Sequence, residues 1–220
     1  MTVHFHREVE ALKKKVLALS VEVEGSLNQA MKAYFTRDIM LADRIIGADE
    51  MIDQKEVEVE EDILKILALH QPVAIDLRYL ISFLKINNDL ERIGDLAVNI
   101  ADAAVYLAGN PAIEAPEILS KMTDKVLSML RFCLEAMVNQ DSEQARRICA
   151  MDETVDELHR SMYSLIEGKV IENPGLVDRY MHILSISRYL ERVADHATNI
   201  AEDIIYMVEG FIVRHSLEDK

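Results

Sequence analysis

Hydrophobic residues recur at intervals of three or four along nearly the whole chain. An α-helix completes a turn in about 3.6 residues, so this spacing places apolar side chains on one helix face. The pattern continues, with interruptions, through both halves of the chain and predicts an all-α protein. In the first helix the apolar positions are Phe5, Val9, Leu12, Val16, Leu19, Val23, Leu27 and Met31. We expect helices at about 3–34, 38–69, 72–108, 116–138, 141–171 and 174–213.

Turn-forming residues divide this pattern. Asp38 is suited to cap the second helix, because its carboxylate can accept hydrogen bonds from N–H groups of the first turn. Pro72 and Pro174 mark places where one helix ends and another begins, since proline is tolerated only in the first turn of a helix. Residues 109–116 form a longer stretch rich in Gly, Asn and Pro, where we place the boundary between two domains.

The two halves repeat each other. Residues 88–102 and 188–202 share the pattern Leu-Glu-Arg-φ-x-Asp-x-x-x-Asn-Ile-Ala, in which φ is Ile or Val. Short loops force neighbouring helices to run antiparallel. Helices of about 30 residues are about 45 Å long, so we expect an elongated molecule. The sequence therefore predicts two pseudo-repeated antiparallel three-helix bundles in tandem, over residues 1–110 and 115–215.

The composition narrows the class of protein. The net charge of −15, without clustered Lys or Arg, argues against nucleic-acid binding. No apolar stretch reaches the roughly 20 residues of a membrane span, and the first residues do not resemble a secretory signal. Cys133 and Cys149 lack metal-finger spacing and are expected to be buried thiols in a reducing compartment. We therefore expect a soluble cytoplasmic protein.

Each copy of the repeated motif carries a stripe of oxygen-bearing side chains. Residues four apart on a helix are rotated by only about 40°, so they share a face. Like charges stacked at this spacing cost roughly a few tenths of a kcal/mol unless a positive group lies over them. The stripes consist of Glu91, Asp95 and Asn99 in the first half, and of Glu191, Asp195 and Asn199 in the second.

The second helix of each half supplies two more carboxylates. In an antiparallel hairpin, residues equally distant from the turn lie at the same height. Asp49 and Asp95 are equally distant from Pro72, and so are Asp53 and Glu91. The second half repeats this symmetry about its own turn. The carboxylates are thus expected to converge as a first quartet, Asp49, Asp53, Glu91 and Asp95, and a second quartet, Asp152, Asp156, Glu191 and Asp195.

Each quartet is predicted to bind metal. Four converging carboxylates are unstable without a cation, and no Lys or Arg stands at a motif position facing them. Oxygen ligands suit hard ions such as Mg²⁺, Mn²⁺, Ca²⁺ or ferric iron. The alternative is that the quartets are surface acids paired with Arg92 and Arg192, but we expect these arginines to reach a neighbouring helix or an outer acid. Further ligands or outer-shell groups on the same faces are Asn99, Asp102, Asn199 and Glu202.

Other chemistries have less support. A ferritin-like di-metal oxidase or metal-storage protein, the alternative function, needs Glu-x-x-His on two helices. Its nearest approach is Asp156 followed by His159, which has no counterpart in the first half. His4, His6 and His215 lie near the chain ends, where we expect surface roles. Because the sequence has no nucleophile elbow, Gly-rich phosphate loop or Cys/His pair, we expect no enzymatic activity.

Together these motifs resemble the PhoU family of phosphate-transport regulators. The paired Asp-x-x-x-Asp and Glu-Arg-φ-x-Asp motifs carry the resemblance. Residues 4–12 and 71–78 are also similar to that family's first helix and first hairpin turn. The similarity covers essentially the whole chain. One departure is Ala194, which stands where the first motif has Gly94 and removes no oxygen ligand.

The resemblance implies a cytoplasmic, non-catalytic and commonly dimeric regulator. Its quartets would hold multinuclear iron or zinc, with manganese or magnesium as alternatives. Its implied partners are the ATPase subunit of a high-affinity phosphate ABC transporter and a phosphate-sensing histidine kinase, so membrane association would be indirect. It would damp phosphate uptake and phosphate-responsive transcription. At the tip of the first hairpin, Gln71 and Arg78 are predicted partner contacts.

Overall fold

The computed structural model describes residues 3–213, and in this range the chain forms six α-helices, one short 3₁₀ turn and no strand. The prediction of an all-α protein built from two repeated three-helix bundles is confirmed. Within the described range, no helix is long and apolar enough to cross a bilayer. The helices are α1 Val3–Thr36, α2 Ile39–His70, α3 Ile75–Ala108, α4 Glu117–Asn139, α5 Ser142–Glu172 and α6 Val177–Glu209, with the 3₁₀ turn at Pro174–Leu176.

The helix boundaries agree with the sequence pattern except at three places. The sixth helix begins at Val177 rather than at Pro174, because Pro174–Leu176 forms the 3₁₀ turn. The third helix begins at Ile75 rather than at Pro72, because Gln71 and Ala74 have φ values of 44° and 52°, which an α-helix cannot contain. The last helix ends at Glu209 rather than near residue 213, because Gly210 takes a left-handed conformation with φ 81°. His215, and the ends of the predicted domains at residues 1 and 215, lie outside the described residues.

The repeat extends to the turns that precede α2 and α5. Arg37 and Gln140 both have left-handed backbone conformations, with φ values of 56° and 52°. The residue that follows each of them caps the next helix. Asp38 Oδ1 accepts a hydrogen bond from Leu41 N at 2.9 Å, and Asp141 Oδ1 accepts one from Gln144 N at 2.9 Å. The two halves therefore enter their second helices by the same turn.

Within each half, three antiparallel helices bury their apolar faces against one another. Each fully buried aliphatic side chain contributes about 2 kcal/mol through removal from water. The first helix of the second bundle, α4, has 23 residues, whereas the first helix of the first bundle, α1, has 34. The largest fully buried side chains include Phe83, Leu12, Leu19, Leu27, Ile63 and Leu119.

The two halves lie side by side through α3 and α6, which run antiparallel to each other. Arg78 at the start of α3 reaches Met207 at the end of α6. At the other end, the rings of Tyr106 and His182 stack with centroids 3.8 Å apart. The motif helices of the two repeats are therefore neighbours in space, and residues 109–116 connect the halves.

Candidate metal centre

Three carboxylates of the first quartet meet between α2 and α3. One carboxylate oxygen from each of Asp49, Asp53 and Asp95 lies within 4.8 Å of the other two. Glu91 stands on the same face of α3. Burial raises the pKa of Glu91, and the negative charges of Asp95 and Asp53 raise it further, so Glu91 belongs to the same cluster. The four carboxylates therefore lie close together, as expected for residues that are equally distant from the hairpin turn.

Two oxygens of this quartet are buried without a hydrogen-bond partner. They are Asp49 Oδ1 and Glu91 Oε2, although the Arg92 guanidinium lies 3.4 Å from Glu91 Oε2 as an ion-pair partner. Burial raises the pKa of Asp49, and the neighbouring Asp53 and Asp95 add to the rise. Buried polar atoms are nearly always partnered in native proteins, and a buried charge requires a counter-charge. A cation between α2 and α3 would satisfy both requirements, so these residues fit a hard metal ion.

The second quartet forms between α5 and α6. Burial raises the pKa of Asp152 to about 6, with Asp195 and Asp156 as the next causes. The pKa values of Glu191 and Asp195 are also raised, first by burial and then by other members of the quartet. Asp152 Oδ1 is buried without a partner. In the described part of this half, no three carboxylates are as close as the trio in the first half.

The expected role of Arg92 was wrong. We expected it to reach a neighbouring helix or an acid outside the quartet, but its Nε lies 3.4 Å from Glu91 Oε2 and its Nη1 lies 3.6 Å from Asp95 Oδ2. The long side chain folds back along its own helix and reaches both acids of its motif. Both distances exceed the roughly 2.8 Å of a strong charge-assisted hydrogen bond. Arg92, which is 53% exposed, therefore offsets the negative charge of the quartet only in part.

The flanking residues predicted as ligands or outer-shell groups do not all face the quartets. Asn99 and Asp102 are exposed. Asn199 Nδ2 donates to Asp89 Oδ1 at 3.4 Å and so points toward α3 rather than toward the second quartet. Glu202 lies close enough to Cys149 to raise the pKa of its thiol, which places it beside α5. Glu202 therefore lies on the side of α6 that faces α5.

Comparison with known proteins decides the family. The family model described as "PhoU domain" matches the chain twice, over residues 16–104 and 119–204. The chain belongs to the PhoU family. The two matches coincide with the two repeated halves, and they confirm the resemblance found in the sequence.

PhoU relatives match almost the whole chain. The "Phosphate-specific transport system accessory protein PhoU homolog 1" of Thermotoga maritima is 34% identical over 94% of this chain and 90% of its own length. The PhoU homolog of Aquifex aeolicus is 36% identical over 95% of both. The crystal structure of PhoU from Pseudomonas aeruginosa superposes with a TM-score of 0.90, covering 94% of this chain and 100% of that one at 34% identity. PhoU from Streptococcus pneumoniae gives 0.88, covering 95% and 99% at 32% identity.

Polar residues between the two PhoU repeats were missed by the sequence reasoning. Asp89 Oδ1 lies 2.8 Å from His196 Nδ1, across the contact between α3 and α6. Asp203 is almost completely buried and accepts a hydrogen bond from Lys85. None of these side chains is shared by the other copy of the repeat: Tyr189 stands in place of Asp89, for example. Such asymmetric polar positions within a repeat are the signal that could have revealed them.

At the hairpin tip of the first PhoU repeat, Arg78 makes contacts with α6. Arg78 Nε donates to Met207 O at 3.2 Å, and its guanidinium packs against Gly210. The guanidinium therefore donates to a carbonyl at the end of α6 that has no partner within the helix. The C-terminal end of a helix carries partial negative charge and favours a positive group there. Gln71 is exposed at the turn, where its N–H donates to Leu67 O. Partner contact by these two residues stays a prediction.

The histidine nearest to an oxidase-like motif is used elsewhere in this PhoU-family chain. His159 Nδ1 lies 2.8 Å from Ser187 Oγ, in contact with α6. Burial lowers the pKa of His159, which favours the neutral ring. Ser187 thus engages one ring nitrogen and orients the His159 ring toward α6.

Proposed function

We propose that this chain is a cytoplasmic, non-catalytic accessory protein that regulates phosphate transport. The observation that carries the proposal is the full-length relation to proteins named phosphate-specific transport system accessory protein. The chain has two PhoU matches, and each of them contains one quartet. The expected partners are the ATPase subunit of a phosphate ABC transporter and a phosphate-sensing histidine kinase.

The proposal includes metal at both quartets. Multinuclear iron or zinc is expected, with manganese or magnesium as alternatives. Bound metal would supply positive charge to carboxylates that otherwise repel one another. Asp49 and Asp53 would bind from α2 and Glu91 and Asp95 from α3, so the first quartet would tie these two helices together. The second quartet would tie α5 to α6 in the same way. The buried oxygens of Asp49 and Asp152 support this assignment.

Regulation would follow from unequal binding to the states of the partners. A protein that binds all conformations of a transporter equally cannot shift their populations. We therefore infer that this chain, as a homodimer, prefers one state of the ATPase subunit and one state of the kinase. This preference would damp both phosphate uptake and phosphate-responsive transcription when phosphate is plentiful.

A gene deletion tests the regulatory function. In phosphate-rich medium, the deletion strain should express a reporter driven by a phosphate-responsive promoter, whereas the parent strain should repress it. Purified chain should retain the ATPase subunit in a pull-down, and a matched control with unrelated ATPase should not be retained. Normal repression in the deletion strain would show that this chain does not regulate the phosphate response and acts on a different system.

A ferritin-like oxidase or metal-storage protein is the second candidate, and its support is the presence of carboxylates on neighbouring helices. The first half has Glu56 at the position that corresponds to His159, so the second Glu-x-x-His motif that such a protein needs is missing. Oxygen consumption by the iron-loaded protein would support the oxidase, whereas an absence of consumption, together with retention of the ATPase subunit, would support the regulator.

A further inference from the structure

The two repeats can be compared residue by residue in their first two helices. The capping residues Asp38 and Asp141 occupy equivalent places, so equivalent residues in this part of the repeat lie 103 positions apart. The same spacing matches buried Ser20 to buried Thr123, and each of these hydroxyls donates to the carbonyl four residues before it. The packing of α4 on α5 is therefore a reference for the packing of α1 on α2.

A cleft of about 430 Å³ lies between α1 and α2 in the first repeat. Buried Ile45 and Ile52 line it from α2. Val21 and Met51 also line it, and both side chains are more than half exposed. A concave site of this size with a mainly apolar lining is typical of places where proteins bind ligands or partners.

Small or polar side chains leave this cleft open. Three of its lining residues are Ser26, Gln29 and Ala48. The equivalent residues of the second repeat, in the same order, are Met129, Phe132 and Met151. Met129 is fully buried, and the other two side chains pack against the hydrophobic core. The second repeat thus has its own bulky apolar side chains at the positions where the first repeat has a cleft.

Arg44, which also lines the cleft, lacks the acidic partner that its equivalent has. That equivalent, Arg147, pairs with Glu143 one turn earlier on α5, Nη2 to Oε1 at 2.5 Å. Met40 stands in the place of Glu143 and is 71% exposed. Within residues 3–213, Arg44 makes no ion pair, and its Nε donates to Met40 O at 3.2 Å. The first repeat therefore lacks both the apolar filling and the carboxylate that the second repeat contains.

We propose, on the basis of the accessory function proposed above, that the cleft between α1 and α2 binds an amphipathic helix of the transporter's ATPase subunit. The helix places bulky apolar side chains between Ile45 and Ile52 and a carboxylate against Arg44. It thereby supplies the two features that the second repeat provides from its own sequence. Amphipathic helices bind in this way, with their apolar face in a hydrophobic groove.

The apolar surface around the cleft favours a protein partner over a small molecule. Exposed Val21 and Met51 extend the apolar area beyond the cleft, and Met40 adds to it beside Arg44. Exposed apolar side chains that adjoin one another mark interaction surfaces. Arg44 adds specificity, because a guanidinium without an acid attracts a carboxylate from the partner and repels a basic one.

Filling the cleft tests this proposal. The full chain receives Ser26→Met and Ala48→Met, which copy the second repeat, and its Kd for the purified ATPase subunit is measured. We expect Kd to rise at least about 10-fold, because the filling blocks a central apolar contact of the interface. The melting temperature should stay the same or rise, since the added side chains cover Ile45 and Ile52. Asn28→Met, at an exposed position of α1 outside the cleft, is the matched control and should bind like wild type.

A charge reversal tests the contact at Arg44. Arg44→Glu should also raise Kd at least about 10-fold, because it opposes the carboxylate of the docked helix. Arg147→Glu makes the same change at the equivalent position of the second repeat and should leave Kd unchanged. Because Arg44 is exposed, its replacement leaves the core intact, and the result does not depend on whether the filled variant folds.

Each outcome decides the inference. Binding of the ATPase subunit that neither the filled variant nor Arg44→Glu weakens would overturn it and leave the accessory function intact. Weaker binding of the filled variant with a lower melting temperature, while Arg44→Glu binds like wild type, would assign the loss to the fold and overturn it too. If the variants weaken binding of the kinase alone, the cleft belongs to another partner. Wild type that does not bind the ATPase subunit would overturn the accessory function and this inference together.

Discussion

Lys85 on α3 donates a hydrogen bond to Asp203 on α6, Nζ to Oδ1 at 3.2 Å, and so joins the two halves of the molecule. The Asp203 side chain is only 2% exposed, whereas that of Lys85 is 38% exposed. The Lys85 ammonium also lies 5.3 Å from the centroid of the Tyr206 ring. A buried carboxylate is therefore paired with a lysine that approaches from the solvent side.

Replacement of Lys85 by Met should destabilise the fold by about 2 kcal/mol. Removing one partner of a fully buried pair costs about 3–5 kcal/mol, and the partial exposure of Lys85 reduces this figure. Urea denaturation measures the loss. The double variant Lys85→Met/Asp203→Asn should lose less than the sum of the single variants, because it leaves no uncompensated charge. Additive losses would show that the two side chains do not depend on each other.

Metal should stabilise the protein through the quartets. Zn²⁺ or Mn²⁺ at about 100 times its Kd should stabilise the stripped protein by about 2.7 kcal/mol per site, since it binds the folded state. The variant Asp53→Asn/Asp156→Asn should lose most of the gain in melting temperature. Asp43→Asn, which removes an exposed acid on α2, is the matched control and should keep it. An equal gain in both variants would place the stabilising metal elsewhere.

The metal-free protein should become less stable as pH rises through the titration of Asp152. Its folded pKa of about 6 lies above the ordinary value of 3.8, so the folded state favours the protonated carboxyl. This contribution is complete below about pH 4 and is lost as pH rises through about 6. In chelator, Asp152→Asn should therefore stabilise the protein by about 1 kcal/mol at pH 7, after allowance for solvent screening.

The same substitution should have little effect at pH 4, where Asp152 is already protonated in the fold. Urea denaturation at the two pH values measures the difference. Asp43→Asn, which removes an exposed acid from α2, is the matched control. A gain in Asp152→Asn that is equal at both pH values would show that the carboxyl is not the group that titrates.

Two glycines should respond in opposite directions to Ala. Gly210 has φ 81°, where Ala is strained by about 1 kcal/mol, and an added Cβ would displace the Arg78 guanidinium from α6. Gly210→Ala should therefore lower the melting temperature. Gly25 lies within α1 with open space around it, so Gly25→Ala should stabilise the helix by about 1 kcal/mol. In an Arg78→Ala background the loss from Gly210→Ala should shrink, and an undiminished loss would exclude the contact as its cause.

The hairpins of this fold follow from local rules that a sequence contains. Helical periodicity predicts the six helices, and Asp38 caps α2 as expected. The heights of Asp49 and Asp95 follow from their equal distance to Pro72, because a short turn leaves little freedom in the register of two helices. The start of α3 was less predictable, since Gln71 and Ala74 take left-handed conformations that their residue types do not demand.

Contacts between the halves could not be predicted in the same way. No short turn connects α3 to α6, so counting residues from a loop gives no register for this pair. The contacts of Asp89 with His196 and of Arg78 with Met207 depend on which helix faces pack together. The path of the Arg92 side chain was also unpredictable, because a long flexible chain can select among several nearby carboxylates.

The antiparallel pairing of α3 and α6 gives each of these helices two tasks. On α3, Asp89 contacts His196 of the other half, and Glu91 joins a quartet only two residues later. On α6, His196 directly follows Asp195 of the second quartet. Residues only one or two positions apart on a helix move together as a rigid body. Any rotation of α3 that changes the spacing between Asp95 and Asp49 must therefore also shift the seam between the two halves.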